Sequence, residues 1–210
     1  LMRSGFSISF YPEGGRSRTG FLLQPKTGLL NMVIEAQKKN PNKPVLLVPI
    51  YIAYDRMAEG ASYLKELRGR AKKAESLKTL LSARKILRSN FGEAHINFGE
   101  PVDLNKLIST QQDRFVFDEV FEVYRPDSNL VHEVSREMQQ RINQSAILSP
   151  INLYCLALLS TPNKALGEFS LQKIVSILIE MQEKIPYHKD VILPKDRDAK
   201  KLLDYSDKII

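Results

Sequence analysis

The chain has one cysteine, three histidines and no long apolar run, and each scarcity excludes something. A lone Cys155, set in the apolar run LYCLALL, has no partner for an internal disulfide. It reads as a buried structural thiol and fits a reducing compartment. None of the three histidines has aspartate five residues later. His95 and His132 have glutamates there instead, Glu100 and Glu137, and both histidines are assigned to structure. No His/Cys/Asp cluster has metal-ligand spacing, so no metal is expected. No stretch reaches the roughly 18 apolar residues of a membrane-spanning helix. The longest candidate, Ala146 to Leu159, is interrupted by Pro150 and Asn152. No internal repeat is visible. The chain does not open on methionine and starts almost inside a strand, so an upstream part is expected to be missing and no N-terminal signal is legible.

What is present suffices for a core, because 43% of the 210 residues are hydrophobic. The net charge of +7 is concentrated in one place. Between Arg56 and Arg88 stand ten Lys/Arg against three Glu, a local balance of +7, and the other 21 basic and 21 acidic residues cancel. Such a patch is either a solvated helix face or a surface for an anionic membrane or acidic partner.

Tyr11 to Gly20, YPEGGRSRTG, organises the rest. Phe6 to Phe10 (FSISF) alternates apolar residues with serine, the pattern of a half-buried strand. Pro12 ends that strand. Gly14 and Gly15 open backbone angles closed to other residues. Arg16 and Arg18, two apart, fall on one side of an extended chain, where guanidinium forks suit a phosphate. Glu13, the single carboxylate among them, is placed to accept from a ligand hydroxyl or to orient an arginine. On composition alone the loop is either a solvated turn or an anion pocket. A P-loop is excluded because Phe21-Leu22 stand where Lys-Ser/Thr is required. A serine/arginine-rich RNA tail is excluded because the pattern occurs once.

Downstream, Thr27 to Lys39 has too many apolar positions for a surface stripe and predicts a well-buried helix. Val45 to Ile52 predicts a strand buried on both faces, with a bulge or strand end at Pro49. Strand, loop, helix, strand is the βαβ order of an α/β domain. Ser76 to Arg88 predicts an amphipathic basic helix, and His95 to Phe98 a short strand. Lys106 to Tyr124 is ambiguous and reads as a connecting segment. Leu130, Val134, Met138 and Ile142 mark one face of a helix. Ser149-Pro150 starts a second helix, to about Leu159. After a stop at Thr161-Pro162, Ser170 caps a third, with Leu171, Ile174, Val175, Leu178 and Ile185 inward. Pro186 to Ile210 is polar and weakly patterned.

YPEGGRSRTG followed by LLQPKTGLL resembles the third conserved block of the membrane-associated glycerol-3-phosphate 1-O-acyltransferases. PVLLVPIYIAYD (Pro44 to Asp55) resembles the fourth, and SYLKELRGRAKKAESL and HINFGEPVDL match in order. The similarity runs from about Phe6 to Pro101 and continues weakly through the helical remainder. It implies an α/β fold: the C-terminal part of a glycerolipid acyltransferase-type sheet-and-helix domain over 1–125, then a helical, incomplete region over 126–210. It also implies that Glu13, Gly14, Gly15, Arg16 and Arg18 bind glycerol-3-phosphate, and that Pro49, Ile50 and Tyr51 line the acyl-donor site. The donor would be acyl-CoA or acyl carrier protein, with no cofactor besides. The family's catalytic His-x-x-x-x-Asp block and a further arginine block lie upstream of the matched region, so no catalytic residue is expected here. Patch 56–88 would meet a membrane on its cytoplasmic face, a bacterial inner membrane or an organellar outer one. The competing reading is a basic nucleic-acid-binding module, with the turn at 161–169 as a helix-turn-helix. Against it, Lys164, Lys173 and Lys184 are offset by Glu168, Glu180 and Glu183.

Overall fold

Helix α1 (Gly28–Lys39) forms where leucine, methionine and isoleucine recur at helical spacing, and Lys38 and Lys39 sit favourably at its negative end. The structure, a computed structural model, describes residues 4–15, 17, 20–57, 90–109 and 112–210. The helix expected over 76–88, and patch 56–88 beyond Met57, lie outside the described residues. Two compact units appear that do not follow chain order: Leu1–Ile50 with Phe98–Asn143, and Tyr51–Asn97 with Gln144–Ile210.

In the first unit, α1 buries Leu30, Val33, Ile34 and Gln37. Leu29 and Met32 are 51% and 64% exposed, which corrects the expectation of a well-buried helix: only one face is covered. Strand β1 (Leu46–Leu47) pairs antiparallel with β4 (Val102–Asp103). Helix α2 (Leu104–Ser109) follows. The segment read as a connector instead contains a hairpin, β5 (Phe115–Asp118) with β6 (Val123–Pro126), in antiparallel register. Its turn is set by the Asp118 carboxylate, which accepts from the amides of Val120 and Phe121. Helix α3 (Ser128–Gln144) begins where Asp127 Oδ1 accepts the Leu130 amide at 2.6 Å, and Arg114 grips the same carboxylate with two 3.2 Å bonds. The core joins Ile34, Leu104, Leu130 and Val134, with Phe10 packed against it. Phe6–Phe10 pairs with no strand among the described residues, contrary to the strand expectation. Alternation alone cannot make a strand without a ladder partner.

In the second unit, β2 (Ile50–Tyr54) pairs with β3 (Ala94–Phe98). Bonds from Asp55 N–H to Glu93 O and from Gly99 N–H to Pro49 O flank the ladder, so the strands run antiparallel. The predicted break at Pro49 thus divides Val45–Ile52 into two strands in different sheets. Burial on both faces is not observed. Leu46, Ile50 and Ile52 are exposed, because each two-stranded sheet is covered on one side.

Helices α4 (Pro150–Leu159), α5 (Glu168–Lys184) and α6 (Ala199–Asp207) pack about Leu153, Val175, Leu202 and Leu203. Ser149 and Asn152 form the reciprocal cap that Ser149-Pro150 predicts. Helix α5 starts two residues before Ser170, with Gly167 at its cap position, so Ser170 is not the cap. Ile185 lies beyond the helix and is 81% exposed rather than inward. The weakly patterned tail holds α6, whose N-cap Asp198 accepts from the amides of Lys200 and Lys201. Cys155 is exposed, not buried: α4 is apolar all round, and its partners cover only the Leu153–Ala157 side. No helix among the described residues is long and apolar enough to cross a membrane.

Candidate functional site

The loop after Phe10 is a tight turn. Gly14 N–H donates to Tyr11 O at 3.0 Å, with Pro12 presetting the first central position. Pro12 O accepts the Lys26 amide at 2.7 Å, tying the turn to the entry of α1. Gly14 has φ +58°, and a Cβ there would lie 2.8 Å from Lys26 Cδ. A side chain at 14 is therefore disfavoured twice, by backbone angle and by the lysine stem. Gly15 is different: its φ is outside the left-handed region, and an added Cβ would meet nothing within 4 Å. Glu13 is half-buried within the turn. Arg16 and Arg18 lie outside the described residues.

Among the described residues, Lys26, which sequence pattern does not single out, lays its aliphatic stem against Gly14 of this loop. Two residues later α1 begins, with no side-chain cap from Thr27 and no acidic residue in its first turn. Lysine charge and helix N-terminus both favour an anion at this end. A concavity of about 220 Å³ in the same unit opens at the other end of α1, beside Lys39 and Lys43, and loop 11–15 does not line it.

Of the residues expected at the acyl donor, Pro49 is fully buried and its carbonyl accepts the Gly99 amide at 2.9 Å. Ile50 is 40% exposed and Tyr51 half-buried. As neighbours on β2, these two side chains face opposite ways.

A buried polar cluster in the second unit centres on Asp55, which the sequence showed only as the last letter of a motif. The Asp55 side chain is wholly buried, and Oδ2 accepts both the Tyr205 hydroxyl, at 2.5 Å, and the Glu93 amide, at 2.9 Å. His95 Nε2 stands 3.4 Å from Oδ1. Gly92, at φ +70°, leaves room for this carboxylate, since a Cβ there would come within 2.7 Å of it. Burial pushes the Asp55 pKa up. The bonds from Tyr205 and Glu93, with His95 nearby, outweigh burial and hold it below the usual carboxylate range. The Tyr205 hydroxyl is pushed well above its ordinary value by burial and by the Asp55 charge. The carboxylate beside His95 is thus Asp55 and not Glu100. Glu100 instead meets Arg141, at 3.4 Å. His132 is exposed on α3.

Short antiparallel strand pairs, six helices among the described residues and a glycine turn pinned beside a lysine make this a mixed α/β chain. Residues 63–209 match the family model described as glycerol-3-phosphate acyltransferase C-terminal region, and residues 1–53 match one described as acyltransferase. The chain belongs to the glycerol-3-phosphate acyltransferase C-terminal region family. Among similar curated proteins, the glycerol-3-phosphate acyltransferase of Pseudomonas aeruginosa (strain UCBPP-PA14) is 37% identical over 207 residues, 98% of this chain and 25% of the relative. That of Xylella fastidiosa (strain 9a5c) is 41% identical over 194 residues, 91% of this chain and 22% of the relative. That of Pseudomonas syringae pv. tomato is 35% identical over 197 residues, 93% and 24% respectively. The chain spans about a quarter of the length of the curated relatives it matches.

Proposed function

We propose that this chain is the C-terminal part of a glycerol-3-phosphate 1-O-acyltransferase. In the whole enzyme a fatty acyl group passes from acyl-CoA or acyl carrier protein to the sn-1 hydroxyl of glycerol-3-phosphate, giving lysophosphatidate for phospholipid synthesis. The observation that carries this reading is the turn at Gly14, closed against Lys26, in a chain whose curated relatives bear the enzyme's name.

Arg16 and Arg18 neutralise the acceptor phosphate, and Lys26 adds charge to the same end. Gly14 and Gly15 let the backbone approach, and Glu13 contacts the glycerol or braces a guanidinium. Pro49, Ile50 and Tyr51 shape the wall beside the acyl thioester. An alcohol needs a general base at neutral pH, and that base belongs to the upstream part of the enzyme. The chain by itself is therefore inactive. The thioester is a co-substrate, and no metal or organic cofactor takes part. The basic excess at 56–88 supports attachment to the cytoplasmic face of a membrane.

In the full-length enzyme, Arg16→Ala and Arg18→Ala are each expected to raise the glycerol-3-phosphate KM about tenfold or more, the loss of one charge-assisted contact. An unchanged acceptor KM in both variants sinks the assignment. Salt-sensitive binding to phosphatidylglycerol vesicles supports the membrane role; tight binding to duplex DNA in its place would favour a nucleic-acid module.

A further inference from the structure

We infer that Tyr205 is a positioning residue: through the Asp55 carboxylate, helix α6 holds the β2/β3 ribbon in register and so sets the face on which Tyr51 stands. The inference rests on the acyltransferase reading for its kinetic readout only.

A two-stranded ribbon is marginal in water and needs an external restraint. Here the restraint is gathered at one end. Asp55 N–H donates to Glu93 O at 3.1 Å, and Asp55 Oδ2 accepts the Glu93 amide, so this pair closes the ladder twice. Tyr205 adds the bond that ties the closing pair to α6. One residue beyond Asp55, Arg56 Nη1 donates to Ile209 O at 2.8 Å, and three residues before Glu93, Asn90 Nδ2 donates to Lys208 O at 3.3 Å. Both strand ends thus converge on residues 205–209. Along β2, exposed Ile52 and Tyr54 alternate with half-buried Tyr51 and Ala53. A slip of one residue would send Tyr51 to the opposite face. The wholly buried Asp55 resists that slip, because leaving its site would strip the carboxylate of both donors at Oδ2.

The test is Tyr205→Phe in the full-length enzyme, a change that removes one hydroxyl and keeps the ring. Amide hydrogen exchange in β2 and β3 is expected to accelerate about tenfold or more, while α1 and α3 stay unchanged. The acyl-donor KM is expected to rise severalfold at constant acceptor KM. Arg56→Gln, which leaves the buried carboxylate satisfied, is expected to act in the same direction and serves if Tyr205→Phe does not fold. The double variant Asp55→Asn/Tyr205→Phe is expected to exchange no faster than the worse single one, because both changes act on the same pair of side chains. Unchanged exchange in β2 and β3 overturns the inference, as does uniform acceleration with a lowered Tm and both KM values unaltered. If the wild-type enzyme shows no acyl transfer, the functional reading fails, and exchange alone decides the role of Tyr205.

Discussion

The hydroxyl of Tyr205 donates to Asp55 Oδ2 across 150 residues of sequence, and that bond joins a strand end to the last helix. The pKa values of its two partners are shifted in opposite directions, so its strength has a pH window. The folded-state pKa of Asp55 is depressed. Its contribution is therefore present above the unfolded carboxylate pKa of about 4 and lost as pH falls through the folded value. The Tyr205 pKa is raised. Its contribution is present below the unfolded phenol pKa of about 10 and lost as pH rises through the folded value. Denaturant midpoints are expected to separate wild type from Asp55→Asn at pH 7 and to draw together at pH 3. A gap of constant size across that range would refute the linkage.

Gly14 and Gly15 are adjacent and are expected to respond differently to the same change. Gly14→Ala meets the Lys26 stem and a left-handed backbone, and is expected to destabilise by about 1 kcal/mol or more. Gly15→Ala has open space and is expected to be neutral or slightly stabilising. Thermal melts of the pair decide it, and equal losses would show that the turn is not closed at Gly14.

Leu153 is 1% exposed at the centre of α4–α6, and Ile185 is 81% exposed just beyond α5. Leu153→Ala is expected to cost about 2–5 kcal/mol in urea denaturation, the range for a cavity among packed helices. Ile185→Ala is expected to stay within about 0.5 kcal/mol of wild type. A large loss at Ile185 would mean that another surface covers it.

Ser149 caps α4 through the Asn152 amide, and Asn152 returns a bond to the Ser149 amide. Ser149→Ala is expected to cost about 1 kcal/mol, with Ser149→Asp retaining most of the stability. Failure of aspartate to rescue would point to buried packing of the serine, which is only 3% exposed, rather than to the cap.

Several elements were legible because their causes are local. Ser149-Pro150 carries a cap and a residue suited to the first helical turn. Pro49 cannot give a ladder hydrogen bond, and the strand breaks there. The four-residue recurrence of Leu130, Val134 and Met138 can face a core only from a helix. The misreadings came from pattern taken without partners. FSISF alternates like a strand but finds no neighbour among the described residues. Asp118, which turns the β5/β6 hairpin, lies in a stretch whose aromatic alternation was masked by helical spacing. Asp198, a good N-cap, stands in a tail whose polarity hid Leu202 and Leu203.

Taken alone, the amino-acid order determined the start of α4 at Ser149-Pro150, the break at Pro49, the family resemblance and a glycine turn after Pro12, since each depends on groups a few bonds apart. Tertiary structure decided which faces are covered, that Lys26 closes over the turn, and that Asp55 belongs to Tyr205 and His95. Burial and hydrogen-bond partnership depend on which distant segments meet, and Asp55 gives no local sign that its partner lies 150 residues away.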